Sequence, residues 1–264
     1  MHPGIQAAHT ARALRLGGLS PRARGEEKVA EALDWIYRWG WASPQTIDGL
    51  SGAKRRGLSA RLVRQGLLVA TRTQAGGAGH GVPAQILTLS PTGQAEVERH
   101  RTELLPYSRD PYKIRQDQLR HYELTQRATA NSLLSGSIAG FRTEVETAQR
   151  SVAGQKQPDV EWLFESGRRA GVEVELTAKW ARDLDQFILA CLRGLTSSAE
   201  KPARFDLIIL LTDSPAIRRR YLQAFEPGRS FNRWQKNDRG HWETSGTSTV
   251  PSWAAEKVLC KLVD

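Results

Sequence analysis

The chain has 264 residues, of which 38 are Lys or Arg and 28 are Asp or Glu, for a formal net charge of +10. That length makes one large domain or two small ones, and 39% apolar residues with eight tryptophans can supply a core, which excludes wholesale disorder. The longest uncharged apolar run, 207–211, falls far short of the roughly 20 residues a membrane-spanning helix needs; the two cysteines, outside any Cys-x-x-Cys cluster, exclude a disulfide framework and structural zinc. The N-terminus has no secretory apolar core, so the expectation is a cytoplasmic protein without a membrane partner. A balance this basic points to a polyanion, nucleic acid first, with a merely solvated surface as the plain alternative.

Residues 1–25 carry Arg12, Arg15, Arg22 and Arg24, no acidic residue and several Gly and Pro, and read as a flexible basic arm. From Glu26 onward Val29, Ala30, Leu33, Ile36 and Tyr37 recur at helical spacing, and Gly40 closes the segment. Ser43-Pro44 is an N-cap followed by proline at the first helical position, opening a short helix to about Leu50. A third helix over about 53–65 holds Leu58, Leu62 and Val63 on one face, before Gly66 stops it. Two β-favouring runs, 67–71 and 86–89, joined by a Gly-rich stretch, form a hairpin, and Ser90-Pro91 leads into a closing helix over about 94–101.

Three helices followed by a hairpin match a winged helix-turn-helix within a domain of residues 26–106; there the third helix enters the major groove. No acidic residue lies between Asp48 and Glu96, whereas Lys54, Arg55, Arg56, Arg61, Arg64 and Arg72 fall inside that window. These six are the candidate contacts to double-stranded DNA.

Residues 106–111 read as a linker to a second domain, 107–264. It is expected to run helix 114–134, strands 141–146, 160–164 and 171–177, helix 180–195 and strand 205–212, an αβββαβ order. A helix to about 225, a Trp- and basic-rich stretch over 229–242 and a terminal helix over 253–262 follow. Trp234 and Trp242 in that stretch either stack on unpaired bases or pack in the core.

Alternation along 171–177 puts Val172, Val174 and Leu176 on one face and Glu173, Glu175 and Thr177 on the other. With Asp159 from the neighbouring strand, the two glutamates can form a cage of hard oxygen ligands that suits Mg²⁺ or Mn²⁺. Phosphodiester cleavage needs such a metal, and a cation such as Lys179 to neutralise transition-state charge. The plain reading of Glu-Val-Glu is the solvated face of an edge strand. Glu123, Glu144 and Glu146 are further carboxylates within reach of such a site, and Tyr107, Tyr112 and Tyr122 are the tyrosines available as nicking nucleophiles.

Pro158-Asp159, then Glu173-Val174-Glu175 and Lys179, in an αβββαβ order, resemble the PD-(D/E)xK nuclease superfamily, which implies a restriction-endonuclease-like core. Together with the winged helix and Arg120-His121-Tyr122-Glu123-Leu124, residues 171–179 look like the replication-relaxation family, which includes the MobC-type mobilisation relaxases. The resemblance runs from about Glu26 to Phe225, and it implies Asp159, Glu173, Glu175 and Lys179 as catalytic residues, the three carboxylates as metal ligands. The lysine departs from the pattern. If Glu173 is the motif carboxylate, Glu175 occupies the lysine position; if Glu175 is, Lys179 lies four positions on instead of two.

The expected protein is thus an α+β two-domain DNA-processing protein, with metal-dependent nicking or relaxase-type activity in plasmid or integrative-element mobilisation or replication. Its partners are double-stranded DNA, single-stranded DNA at a nick, and relaxosome or replication proteins. The alternatives are an inactive relaxosome accessory factor or transcriptional regulator, and a restriction or repair endonuclease.

Overall fold

The computed structural model describes residues 20–50, 52, 57–148, 157–197 and 202–263. It is a mixed α+β fold, and the chain divides into two compact units, Met1–Gln116 and Asp117–Asp264.

In the first unit, helix α1 (Pro21–Trp39) begins earlier than its apolar spacing implies. Ser20 caps it, accepting a hydrogen bond from the Ala23 amide, with Pro21 in the first turn, so the C-terminal end of the expected basic arm is helical. The arm before Ser20 lies outside the described residues. Gly40, at φ +82°, ends α1 in the left-handed region that a side chain resists. Helix α2 (Pro44–Gly49) is capped by Ser43 as its sequence dictates. Helix α3 (Leu58–Arg64) has no cap of its own; Asp48 supplies it, accepting from the amides of Gly57 (3.0 Å) and Ser59 (2.8 Å).

Strands β1 (Leu68–Arg72) and β2 (Gln85–Leu89) pair antiparallel, and Ala42 adds a bridge to Leu87 through two main-chain hydrogen bonds. Helix α4 (Pro91–Arg99), capped by Ser90, packs on α1. The 106–111 segment, expected as a linker, is bound into this unit. The buried Tyr37 hydroxyl donates to the Leu105 carbonyl and accepts from its amide, and the Tyr37 ring stacks on Tyr107 at 5.4 Å. Tyr107 in turn accepts from the Leu89 amide at 2.7 Å, and Gln116 accepts from the Gln74 amide, which carries the first unit to Gln116.

The second unit is built on a five-stranded sheet of order β3-β4-β5-β6-β9. Helix α5 (Leu119–Leu134) precedes β3 (Gly140–Thr143). The expected strand over 141–146 stops at Thr143, because Thr143 and Glu146 form a capping box that turns Glu144–Thr147 into a short helix, α6. Then come β4 (Val160–Leu163), β5 (Arg169–Val174), α7 (Ala181–Leu195), β6 (Leu207–Thr212) and α8 (Pro215–Ala224). β3, β4 and β5 run antiparallel in turn, and β6 joins β5 in parallel.

The segment after α8 departs from expectation. Residues 230–249 form an antiparallel hairpin, β7 (Ser230–Lys236) and β8 (Trp242–Thr249), docked on α7 through Trp234, whose indole donates to Asp185 at 2.9 Å. The expected helix over 253–262 is helical only over Ala254–Lys257 (α9); Val258–Leu262 is strand β9, parallel to β6. Val258 and Cys260 alternate inward, and pairing with the apolar β6 outweighs the helical propensity of the surrounding Ala, Glu and Lys.

Candidate functional site

The two faces of the sheet are set by register. Trp162 of β4 donates its indole N–H to Thr129 of α5, so the even-numbered residues of β4 and β5 look toward α5. Gly171 and Glu173 pair with Ile208 and Leu210, which belong to the core cluster built with α7 and α8. The expectation that Glu173 and Glu175 share a face therefore meets a face that is covered, not solvated: Glu161, Glu173 and Glu175 are 4%, 2% and 4% exposed.

Cations pair directly with Glu161 and Glu175. Arg142 pairs with Glu161 at 3.1 Å. Arg204, held below the ordinary arginine range chiefly by burial, lies within the fields of Glu161 and Glu173, and it donates to Gln157 at 2.7 Å. Lys179 pairs with both oxygens of Glu175, while its ammonium sits 4.5 Å from the Phe187 ring centroid. Tyr221 of α8 donates to Glu175 at 3.0 Å. Burial, and then the adjacent carboxylate, push the Tyr221 hydroxyl well above the usual tyrosine range, so it stays a donor.

Asp159 is used differently. Its amide donates to the Val172 carbonyl, and its own Oδ2 accepts from the Val174 amide at 2.7 Å, taking the place of a main-chain carbonyl where β4 begins. The same oxygen lies 3.1 Å from Nε2 of His121 on α5. Asp159 thus binds toward α5, while Glu175 binds toward α7 and α8. Glu123 is buried on α5, Glu144 accepts from Tyr122, and Glu146 is consumed by the cap at Thr143.

The donor set arranged in this way does not fit a divalent cation. Among the described residues no three His, Cys, Asp or Glu side chains are grouped as a metal site requires. Lys179 and Tyr221 occupy the Glu175 oxygens a metal would take, and Asp159, Glu173 and Glu175 do not form a group of three. Comparison of the chain with protein-family models, with curated proteins and with solved structures finds no match.

Other sequence candidates resolve individually. Burial pushes the Tyr107 hydroxyl up to about 12 and its oxygen serves Leu89, which suits a structural tie and not a nucleophile. Burial likewise pushes the Cys260 thiol up to about 11. In the first unit, Arg61 and Arg64 of α3 and Arg72 at the end of β1 are exposed. Lys54, Arg55 and Arg56 lie outside the described residues. Among the described residues no helix is long and apolar enough to cross a membrane.

The sequence reading missed Tyr221, Arg142 and Arg204, which reach the sheet from other elements. Their only sequence signal is that buried carboxylates demand nearby cations or donors. The contact of His121 with Asp159 joins α5 to the β4 start.

Proposed function

We propose that the chain is a DNA-binding protein acting in mobilisation or replication of a plasmid or integrative element, with a winged-helix unit that docks on duplex DNA and a restriction-endonuclease-like second unit. One observation carries the reading: α3 and β1 present exposed Arg61, Arg64 and Arg72 within a stretch that has no acidic residue between Asp48 and Glu96. Helices α1 to α3, the hairpin and the Ala42–Leu87 bridge follow the winged-helix order, in which the third helix enters the major groove. Asp48, at the edge of that stretch, spends its charge on the amides of Gly57 and Ser59, where it caps α3.

Duplex binding by the full chain is expected to weaken as salt rises, since each phosphate contact by Lys or Arg releases counterions. Replacing Arg61 and Arg64 together by Ala should lower the slope of log affinity against log salt by about one to two. An unchanged slope would mean that α3 does not face DNA.

Metal-dependent nicking is the second reading. The antiparallel β3-β4-β5 order with parallel β6, and Asp159 standing across from Glu173, favour it; the ion pairs already made by Glu161 and Glu175 favour a module that binds without cutting. On supercoiled plasmid the full chain is expected to leave DNA intact with Mg²⁺ or Mn²⁺, and its melting temperature unmoved by either ion. Nicking that Asp159→Asn abolishes, together with a metal-induced rise in melting temperature, would establish the nuclease.

A further inference from the structure

We propose that Trp180 and Trp242, with Arg220, Arg182 and Lys236, form a platform on the second unit that stacks unpaired bases of single-stranded DNA; this rests on the DNA-binding reading above. The two rings are 66% and 40% exposed, the two largest exposed aromatics of that unit among the described residues. Each ring has a cation against it. The Arg220 guanidinium lies 3.4 Å from the Trp180 ring centroid, and its Nε donates to the Lys179 carbonyl at 2.8 Å, which fixes the cation against the ring. Arg182 and Lys236 lie 5.4 Å and 5.5 Å from the Trp242 centroid.

Between Trp180 and Arg182 stands Ala181 at φ +43°, the one non-glycine residue in the left-handed region among those described. Such a conformation costs about 1 kcal/mol or more for a residue with a Cβ. It sets the directions of the two flanking side chains, one carrying a ring outward and the other reaching the second ring. No side chain caps α7 at this end, so the helix N-terminus adds a positive field beside the rings. Acidic groups are present and are already engaged: Asp183 pairs with Arg182, and Asp185 accepts from Trp234.

Single-stranded DNA is the occupant this chemistry fits. Every base offers a π-face to a fixed ring, phosphates run past cations, and neither contact reads sequence. In duplex DNA the base faces are covered by their neighbours, so the rings gain nothing from it. The Arg220 guanidinium is fixed against Trp180 before the ligand arrives, so that cation needs little ordering on binding.

The test uses the full-length chain and fluorescence anisotropy with a labelled oligo(dT) and a labelled duplex. Trp180→Ala and Trp242→Ala are each expected to weaken oligo(dT) binding about five-fold or more, with duplex affinity and melting temperature unchanged. Trp180→Phe and Trp242→Phe should keep most of the oligo(dT) affinity. Oligo(dT) affinity untouched by the Ala variants, or oligo(dT) and duplex weakened equally, would overturn the platform. A wild-type chain that binds duplex but not oligo(dT) would overturn the platform alone; one that binds neither would overturn the DNA reading as well.

Discussion

Gly93→Ala is expected to destabilise the first unit by about 3 kcal/mol or more, because its Cβ would approach a neighbour more closely than that of any other glycine among the described residues. Helix propensity alone predicts the opposite, a gain of about 1 kcal/mol for Ala over Gly inside a helix. The packing decides. A Cβ at Gly93 would lie 2.1 Å from the Leu67 carbonyl oxygen. That oxygen cannot retreat cheaply, because it accepts from the Ser90 amide, while Ser90 caps α4 through the Gly93 amide and donates its hydroxyl to the Gly66 carbonyl. Moving Leu67 therefore disturbs the entry to β1 and the cap of α4 together. Denaturant titration with hydrogen exchange at α1 and β1 would measure it. A stabilised variant would refute the close approach of α4 to Leu67.

Lys179→Met is expected to cost about 2–3 kcal/mol of second-unit stability. Breaking a buried ion pair by removing one partner costs about 3–5 kcal/mol, and the figure is reduced here because the Lys179 side chain is 32% exposed while that of Glu175 is 6%. Without the lysine, Glu175 keeps only the Tyr221 hydroxyl at 3.0 Å among these two partners. Adding Glu175→Gln should restore much of the loss, since a neutral amide needs no cation. Tyr221→Phe should cost about 1.5–3 kcal/mol, the range for a hydrogen bond to a charged group. A double-mutant cycle in chemical denaturation tests the pairing. Additive Lys179 and Glu175 effects would show that the two do not support each other in the folded chain.

The alternation along β5 was legible because a strand repeats every two residues, so Glu173 and Glu175 had to share a face. Which face was buried was not legible, since that depends on α7 and α8 and on partners from distant positions such as Arg204 and Tyr221. Helices α2 and α4 were visible through Ser43-Pro44 and Ser90-Pro91, which write the cap into adjacent residues. The cap of α3 was hidden because Asp48 precedes Gly57 by nine positions. The β7–β8 hairpin gave little sign of itself, as most of its residues are exposed on both faces and show no apolar period. In the 253–262 segment, Ala254, Ala255 and Glu256 advertise helix, and only the neighbouring β6 makes Val258 and Cys260 into strand positions.

The place of β9 beside β6 has a bearing on how the nascent chain is handled. β6 reads Leu-Ile-Ile-Leu-Leu-Thr and is buried throughout, with β5 on one side and β9 on the other. During synthesis β5 is available before β6 emerges, but β9 is made only after α8 and the whole β7–β8 hairpin. Until then this six-residue apolar strand has one unpaired edge, the kind of edge that recruits strands from other molecules. Any chain clipped or terminated ahead of Val258 retains that sticky edge permanently. The short strand β9 takes over that edge, so the sheet ends in a strand with Lys261 exposed and not in the wholly buried β6.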